Sequence, residues 1–158
     1  MNENLNTDLT ERAVMHASDM EWQSSPSPRV WRKYFYRDGP AEAGIVTSVV
    51  RYDPGSKFLS HHHPGGEEIF VLDGVLSDEH GDYPAGTYLL NPDGSSHAPF
   101  SKDGCTLFVK LGQYAGDGRA QTEMKTSALY WQTRTDTGIW QIPLYRQGGY
   151  RDRTMLLK

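Results

Sequence analysis

Cysteine is almost missing from this chain: Cys105 is the only one among 158 residues. No intrachain disulfide can form, and a reducing compartment is permitted. Basic charge is not in excess, with 16 Lys+Arg against 20 Asp+Glu for a net charge of −4. A mildly acidic chain without a basic stripe suits solubility and is poorly made for wrapping nucleic acid. No apolar run approaches the roughly 20 residues that a membrane helix needs. The opening MNENLNTDLTERAVMHASDM lacks the charged start and apolar centre of a signal peptide. These absences predict a soluble, cytoplasmic protein with neither nucleic acid nor membrane as partner. A chain of this length fits one domain and buries roughly 68–70% of its unfolded surface, so a disulfide staple is not needed.

Turn formers and strand formers are what the chain has instead. It carries 16 Gly, 9 Pro and 11% aromatics, a mixture that suits short strands joined by tight turns. Residues 1–27 form a polar leader ending in SSPSP, with one short helix predicted over Thr7–Met15, capped by Thr7 or Asp8. From residue 28 the character changes to strand. RVWRKYFYRD, AGIVTSVVRYD, EEIFVLDG and GCTLFVKLGQY are rich in β-branched and aromatic residues. DPG, HG, PAG and PDG mark turns between them. Residues 115–127 read as a loop, and ALYWQTR, GIWQIPLYR and RTMLLK as further strands. About ten short strands with no convincing long helix predict an all-β sandwich, jelly roll or barrel.

The end of the chain echoes its beginning. Trp22, Trp31, Tyr36, Arg37 and Gly39 recur as Trp131, Trp140, Tyr145, Arg146 and Gly148, each 109 positions on. VTSVVR at 46–51 and RTMLLK at 153–158 then match with a two-residue slip. Residues 131–158 thus read as a truncated second copy of 22–51, adding strands or covering a sheet edge.

The polar residues that carry chemistry lie in HHHPGGEEIFVLDG and PDGSSH. On a strand, positions i and i+2 share a face, so His61 and His63 point together and His62 points away. Parity favours Glu67 over Glu68 as their companion, although the Pro-Gly-Gly linker can interrupt the alternation. His97 follows a Pro-Asp-Gly turn that can return it to the same interior. His16 and His80 read as solvent-facing, the turn DEHGD as a solvated hairpin tip, and Glu68 as an exterior or rim residue able to accept a ligating histidine's other N–H. Cys105 reads as a buried small hydrophobe. Trp22, Trp31, Trp131 and Trp140 read as packing.

This region resembles a cupin. Gly55, His61, His63, Glu67 and Gly74 fit the first cupin motif, G-x5-H-x-H-x(3,4)-E-x6-G, at every fixed position. Gly86, Pro92, Gly94 and His97 fit the second, G-x5-P-x-G-x2-H-x3-N, with Ser101 where Asn is expected. The motifs span 55–101, and the string from His63 to Leu111 resembles the cupin domain of ChrR-type anti-sigma factors and their stand-alone relatives. The resemblance implies a double-stranded β-helix, a jelly-roll barrel, as a single cupin domain over 28–158. It also implies His61, His63, Glu67 and His97 as ligands to one divalent transition metal per chain. The sigma-binding zinc module of those factors, H-x3-C-x2-C, has no counterpart in the cysteine-free leader, so direct sigma-factor inhibition is not expected.

Three imidazoles and a carboxylate suit zinc, iron, manganese, nickel or cobalt. An octahedral ion keeps two open positions, whereas a tetrahedral zinc with four protein ligands keeps none. Two functions follow. One is a metal-dependent, dioxygenase-like enzyme for a small oxygenated organic substrate; relatives that cleave β-diketones use three histidines without the glutamate, a departure here. The other is a non-catalytic sensor of an oxidant or organic ligand, like the ChrR module. A small-molecule ligand and a homodimer are expected in either case.

Overall fold

In the computed structural model, residues 4–133 and 137–158 are described. Fifteen strands run through them: β1 Gln23–Ser24, β2 Val30–Asp38, β3 Ile45–Tyr52, β4 Ser56–Lys57, β5 His61–His62, β6 Glu67–Asp78, β7 Gly81–Pro84, β8 Thr87–Asn91, β9 Ser96–His97, β10 Phe100–Ser101, β11 Cys105–Leu111, β12 Thr122–Lys125, β13 Gln132–Thr133, β14 Trp140–Arg146 and β15 Arg153–Leu157. Every pairing among them is antiparallel. Along β3 and β11 buried and half-buried residues alternate, the period of a strand with one face on a core.

The main sheet runs β1-β2-β3-β11-β6-β10-β4, with β7 and β8 also on β6 and β12 on β8. A second sheet is β13-β14-β15, and β5 pairs only with β9. Val30, Val46, Val50, Ile69, Val71, Leu76, Leu107 and Val109 fill the main core. Each such side chain removed from water contributes about 1.5–3 kcal/mol. A second cluster joins β8 to β14 through Tyr88, Leu90, Tyr114, Ile142 and Leu144.

β6 changes phase midway. Thr106 pairs with Asp73 but Leu107 with Val71, so Leu72 is an extra residue on β6. Up to Val71 the odd positions face the core; beyond the bulge Leu76 does. Gly74 follows at φ 74°, and a Cβ there would overlap the Gly104 carbonyl oxygen. That explains the closing glycine of the first motif.

The two ends of the chain share a strand register. Gln23↔Arg32 and Ser24↔Trp31 correspond to Gln132↔Gln141 and Thr133↔Trp140. Arg32↔Val50, Tyr34↔Ser48 and Tyr36↔Thr47 correspond to Gln141↔Leu157, Pro143↔Met155 and Tyr145↔Thr154. The ladder is interrupted at matching places, between Tyr34 and Tyr36 and between Pro143 and Tyr145.

Three expectations need correction or trimming. The leader has no helix over Thr7–Met15; it has one 3-10 turn, Ala17–Asp19. The Asp8 carboxylate takes both the backbone N–H and the hydroxyl of Thr10, at 3.0 and 2.6 Å, closing a local turn instead of a helix. Leu5 exchanges two backbone bonds with Arg37, tying the leader to β2. The loop expected at 115–127 contains β12, paired with β8. Of ALYWQTR only Gln132–Thr133 is strand, and Arg134, like the first three residues of the leader, lies outside the described residues. No helix among the described residues is long and apolar enough to cross a membrane.

Candidate metal centre

The β5–β9 ribbon sets His61 directly opposite His97. His63 follows β5 and is fixed by its backbone: its N–H donates to Ser95 O at 3.0 Å, and its carbonyl accepts from Gly66 at 3.0 Å. Gly66, at φ 77°, packs so closely on Tyr114 and Asn91 that a Cβ would be crowded. The chain therefore turns tightly and brings Glu67, first residue of β6, back beneath the histidines. One ligand atom from each of His61, His63, Glu67 and His97 lies within 4.8 Å of the other three. Imidazole centroids are 4.8 Å apart for His61–His63 and 4.7 Å for His63–His97. His63, Glu67 and His97 are buried, and His61 is half-buried at the rim. His62 is exposed, as are His16 and His80.

Hydrogen bonds orient the rings. His61 Nδ1 lies 2.9 Å from Leu59 O, which only accepts, so Nδ1 carries the proton and Nε2 keeps its lone pair. His97 Nδ1 likewise faces Asp78 Oδ2 at 3.1 Å. Asn91 donates to Glu67 Oε2 at 3.1 Å. The same oxygen lies 3.5 Å from His63 Nε2 and 3.3 Å from His97 Nε2. Both Nε2 atoms are buried without a hydrogen-bond partner. Two orphaned imidazole nitrogens turned on a carboxylate are the donor set a divalent ion requires.

The electrostatics favour metal ligation at Glu67 and His63 and oppose it at His97, whose ring must give up its proton to an ion. Burial works to raise the Glu67 carboxyl, but contact with His97, the charge of His63 and the Asn91 bond outweigh it and hold it at about 2. Burial is the main influence on His63 and lowers it, which keeps its lone pair available. For His97 burial pulls downward, while Glu67 and Asp78 outweigh it and raise the ring.

Two small cavities flank the cluster, each about 20 Å³. One is bounded by Arg32, Tyr52, Phe58, His61, Glu67 and His97. The other is bounded by Arg32, Glu42, His61, His63 and Glu67. Each has room for about one water.

Several side chains stand elsewhere than the sequence suggested. The DEHGD turn is not a free tip. Asp78 is 5% exposed at its side chain and accepts from the Tyr83 hydroxyl as well as His97, while Glu79 accepts from Ala98 N. The bulge at Leu72 re-phases β6 and turns Asp78 inward, which simple parity from Glu67 misses. Glu68 faces away from the histidines, yet it is 5% exposed and not at a rim. Its Oε1 accepts from the hydroxyls of Tyr88 and Thr154, and Lys110 Nζ is 3.4 Å from Oε2. It ties β15 to the barrel and orients no histidine. Ser101 is buried and donates to Val75 O at 2.7 Å, linking β10 to β6. Cys105 is buried, its thiol pushed up to about 11 by burial, as suits packing.

Comparison with known proteins follows the same line. A family model described as the ChrR cupin-like domain matches residues 10–115. No curated protein matches the chain. Among solved structures it is similar to a chain of the Rhodobacter sphaeroides complex of SigE with the anti-sigma ChrR. That match has 19% identity and a TM-score of 0.51 over 61% of this chain and 51% of that one. The chain thus spans about half of that relative. It is similar to an acetylacetone dioxygenase from Acinetobacter johnsonii, with 20% identity and TM-score 0.56 over 68% and 78% of the two chains. An RmlC-like cupin from Ralstonia eutropha gives 20% and 0.55 over 74% and 82%. Likeness at this identity establishes the fold, an all-β cupin barrel.

Proposed function

The chain belongs to the ChrR cupin-like domain family, and from that premise we propose that it binds one divalent transition metal through His61, His63, Glu67 and His97. The observation that carries this is the convergence of four ligand atoms within 4.8 Å, two of them buried nitrogens with no other partner. Zinc, iron, manganese and nickel all accept such a donor set. When bound, an octahedral ion would polarise a small oxygenated organic ligand at its open positions, the basis of a dioxygenase-like activity. The chain's own contribution is to fix the imidazole tautomers through Leu59 O and Asp78, hold Glu67 ionised, and confine the space beside the cluster to two small cavities. Cytoplasmic location is part of this proposal.

A second function, non-catalytic sensing of an oxidant or small ligand, is favoured by cavity size. About 20 Å³ on either side admits water or a few heavy atoms, not a preformed substrate chamber.

Metal analysis of protein purified without added metal tests the first step. About one ion per chain is expected in the wild type. His97→Ala should lose it and melt earlier, because an ion bound only by the folded state stabilises that state. His62→Ala should do neither; equal loss in both variants would refute the ligand set. Anaerobic loading with Fe(II), then oxygen uptake with β-diketones and hydroxyaryl ketones, separates the two functions. Turnover supports the enzyme, and no turnover with any metal supports the sensor.

A further inference from the structure

Arg32 is an arginine where the strand pattern calls for an apolar residue. It stands on β2 between Val30 and Tyr34, both part of the core, and its side chain is 6% exposed. Glu42 occupies one corner of the guanidinium, Nη2 to Oε2 at 2.9 Å. Nε and Nη1 are buried with no partner. Guanidinium stays charged in any protein environment, so these donors persist as unmet hydrogen bonds. Arg32 also borders both cavities beside the cluster, together with His61 and Glu67. The C-terminal sheet offers an internal control. It repeats the register of β1–β3 but brings no cluster of candidate metal ligands together among its described residues, and its residue in the place of Arg32 is Gln141.

We propose that Arg32 binds a small carboxylate, or a like oxyanion, that spans from its unmet donors toward the ion that His61, His63, Glu67 and His97 would hold. Arginine is suited to this because either unmet N–H can donate a charge-assisted bond to one carboxylate oxygen and leave the second oxygen to face the ion. Glu42 fixes the orientation of the plane and leaves the remaining donors for the ligand. The cavities restrict the ligand to a compact one, so formate is the probe. The proposal rests on the metal-binding function above.

The experiment separates the two. Wild type, Arg32→Lys and Arg32→Met are loaded with Co(II), metal content is measured, and formate is titrated while the visible cobalt bands and binding heat are followed. All three proteins are expected to hold equal cobalt. Formate should bind the wild type about tenfold or more tighter than Arg32→Met, the scale of a lost charge-assisted bond, with Arg32→Lys between. Equal formate binding in wild type and Arg32→Met, or none in either, overturns the role of Arg32 and leaves the metal site standing. A wild type that takes up no cobalt overturns both. If Arg32→Met does not fold, a formate-soaked crystal of the cobalt-loaded wild type decides. Formate on Nε or Nη1 supports the proposal, and water alone on those atoms overturns it.

Discussion

Asp78 acts on the cluster from behind, by accepting the Nδ1 proton of His97. Replacing it with Asn keeps the size and removes the charge, which leaves the ring free to take the wrong tautomer. Asp78→Asn should weaken metal affinity about 10–100-fold, the usual cost of losing such a partner. Competition with a chelator measures it, and an unchanged affinity would contradict the role. The residues that contact the proposed ion were legible through the motifs that the cupin resemblance rests on: H-x-H, Glu67 with six residues between it and Gly74, and His97 after its turn. Those that support them were not. Asp78 depends on a bulge whose extra residue no sequence rule announced. The burial of Glu68 depends on Thr154, a partner 86 positions away. Arg32 drew no notice in the sequence; its burial comes with Glu42, a partner ten positions on.

At the level of elements, the C-terminal sheet and its turn are fastened to the rest of the chain by side-chain bonds through Thr154, Gln147, Tyr150 and Arg119. Arg119 supplies the ion pair among them: its side chain is 4% exposed and it grips Asp152 through two nitrogens at 2.6 and 3.1 Å. Asp152→Ala leaves that guanidinium with the Tyr145 hydroxyl and a carbonyl. The expected loss is about 1–2 kcal/mol in urea unfolding, reduced from a fully buried pair because Asp152 is partly exposed. The Arg119 bond, opposed by burial, holds the Asp152 carboxyl below its ordinary 3.8. Its contribution is therefore complete above that value and falls as acid protonates it. Amide exchange in β14 and β15, corrected for intrinsic rate, should speed up relative to β3 and β11 as the pH falls below 3.8. An unchanged ratio would remove Asp152 as a fastener. Hairpins around local turns were plain in the sequence, whereas β12 was not, since TEMK gains its order from β8 across more than thirty residues. We read 131–158 as a partial copy of 22–51, a proposal supported by the matched registers and the matched interruptions of the two ladders.

Over the whole molecule, the main sheet carries on past the strands that the C-terminal sheet repeats, while the C-terminal sheet stops at β15. In the first unit β3 is completed by β11. Among the described residues, β15, its counterpart, has no strand on its far side, and Leu157 there is 57% exposed. We propose that a second copy of the chain pairs here, giving the expected homodimer. Light scattering should return twice the chain mass, and Leu157→Lys, a charge of the kind that protects open edges, should return the monomer. A wild type that stays monomeric when concentrated would exclude it. The unpaired side of β15 also bears on how stability itself is reported. If association supplies part of the folding free energy, mass action makes the melting temperature climb with protein concentration, so one melting temperature does not describe the molecule unless the dose is given with it.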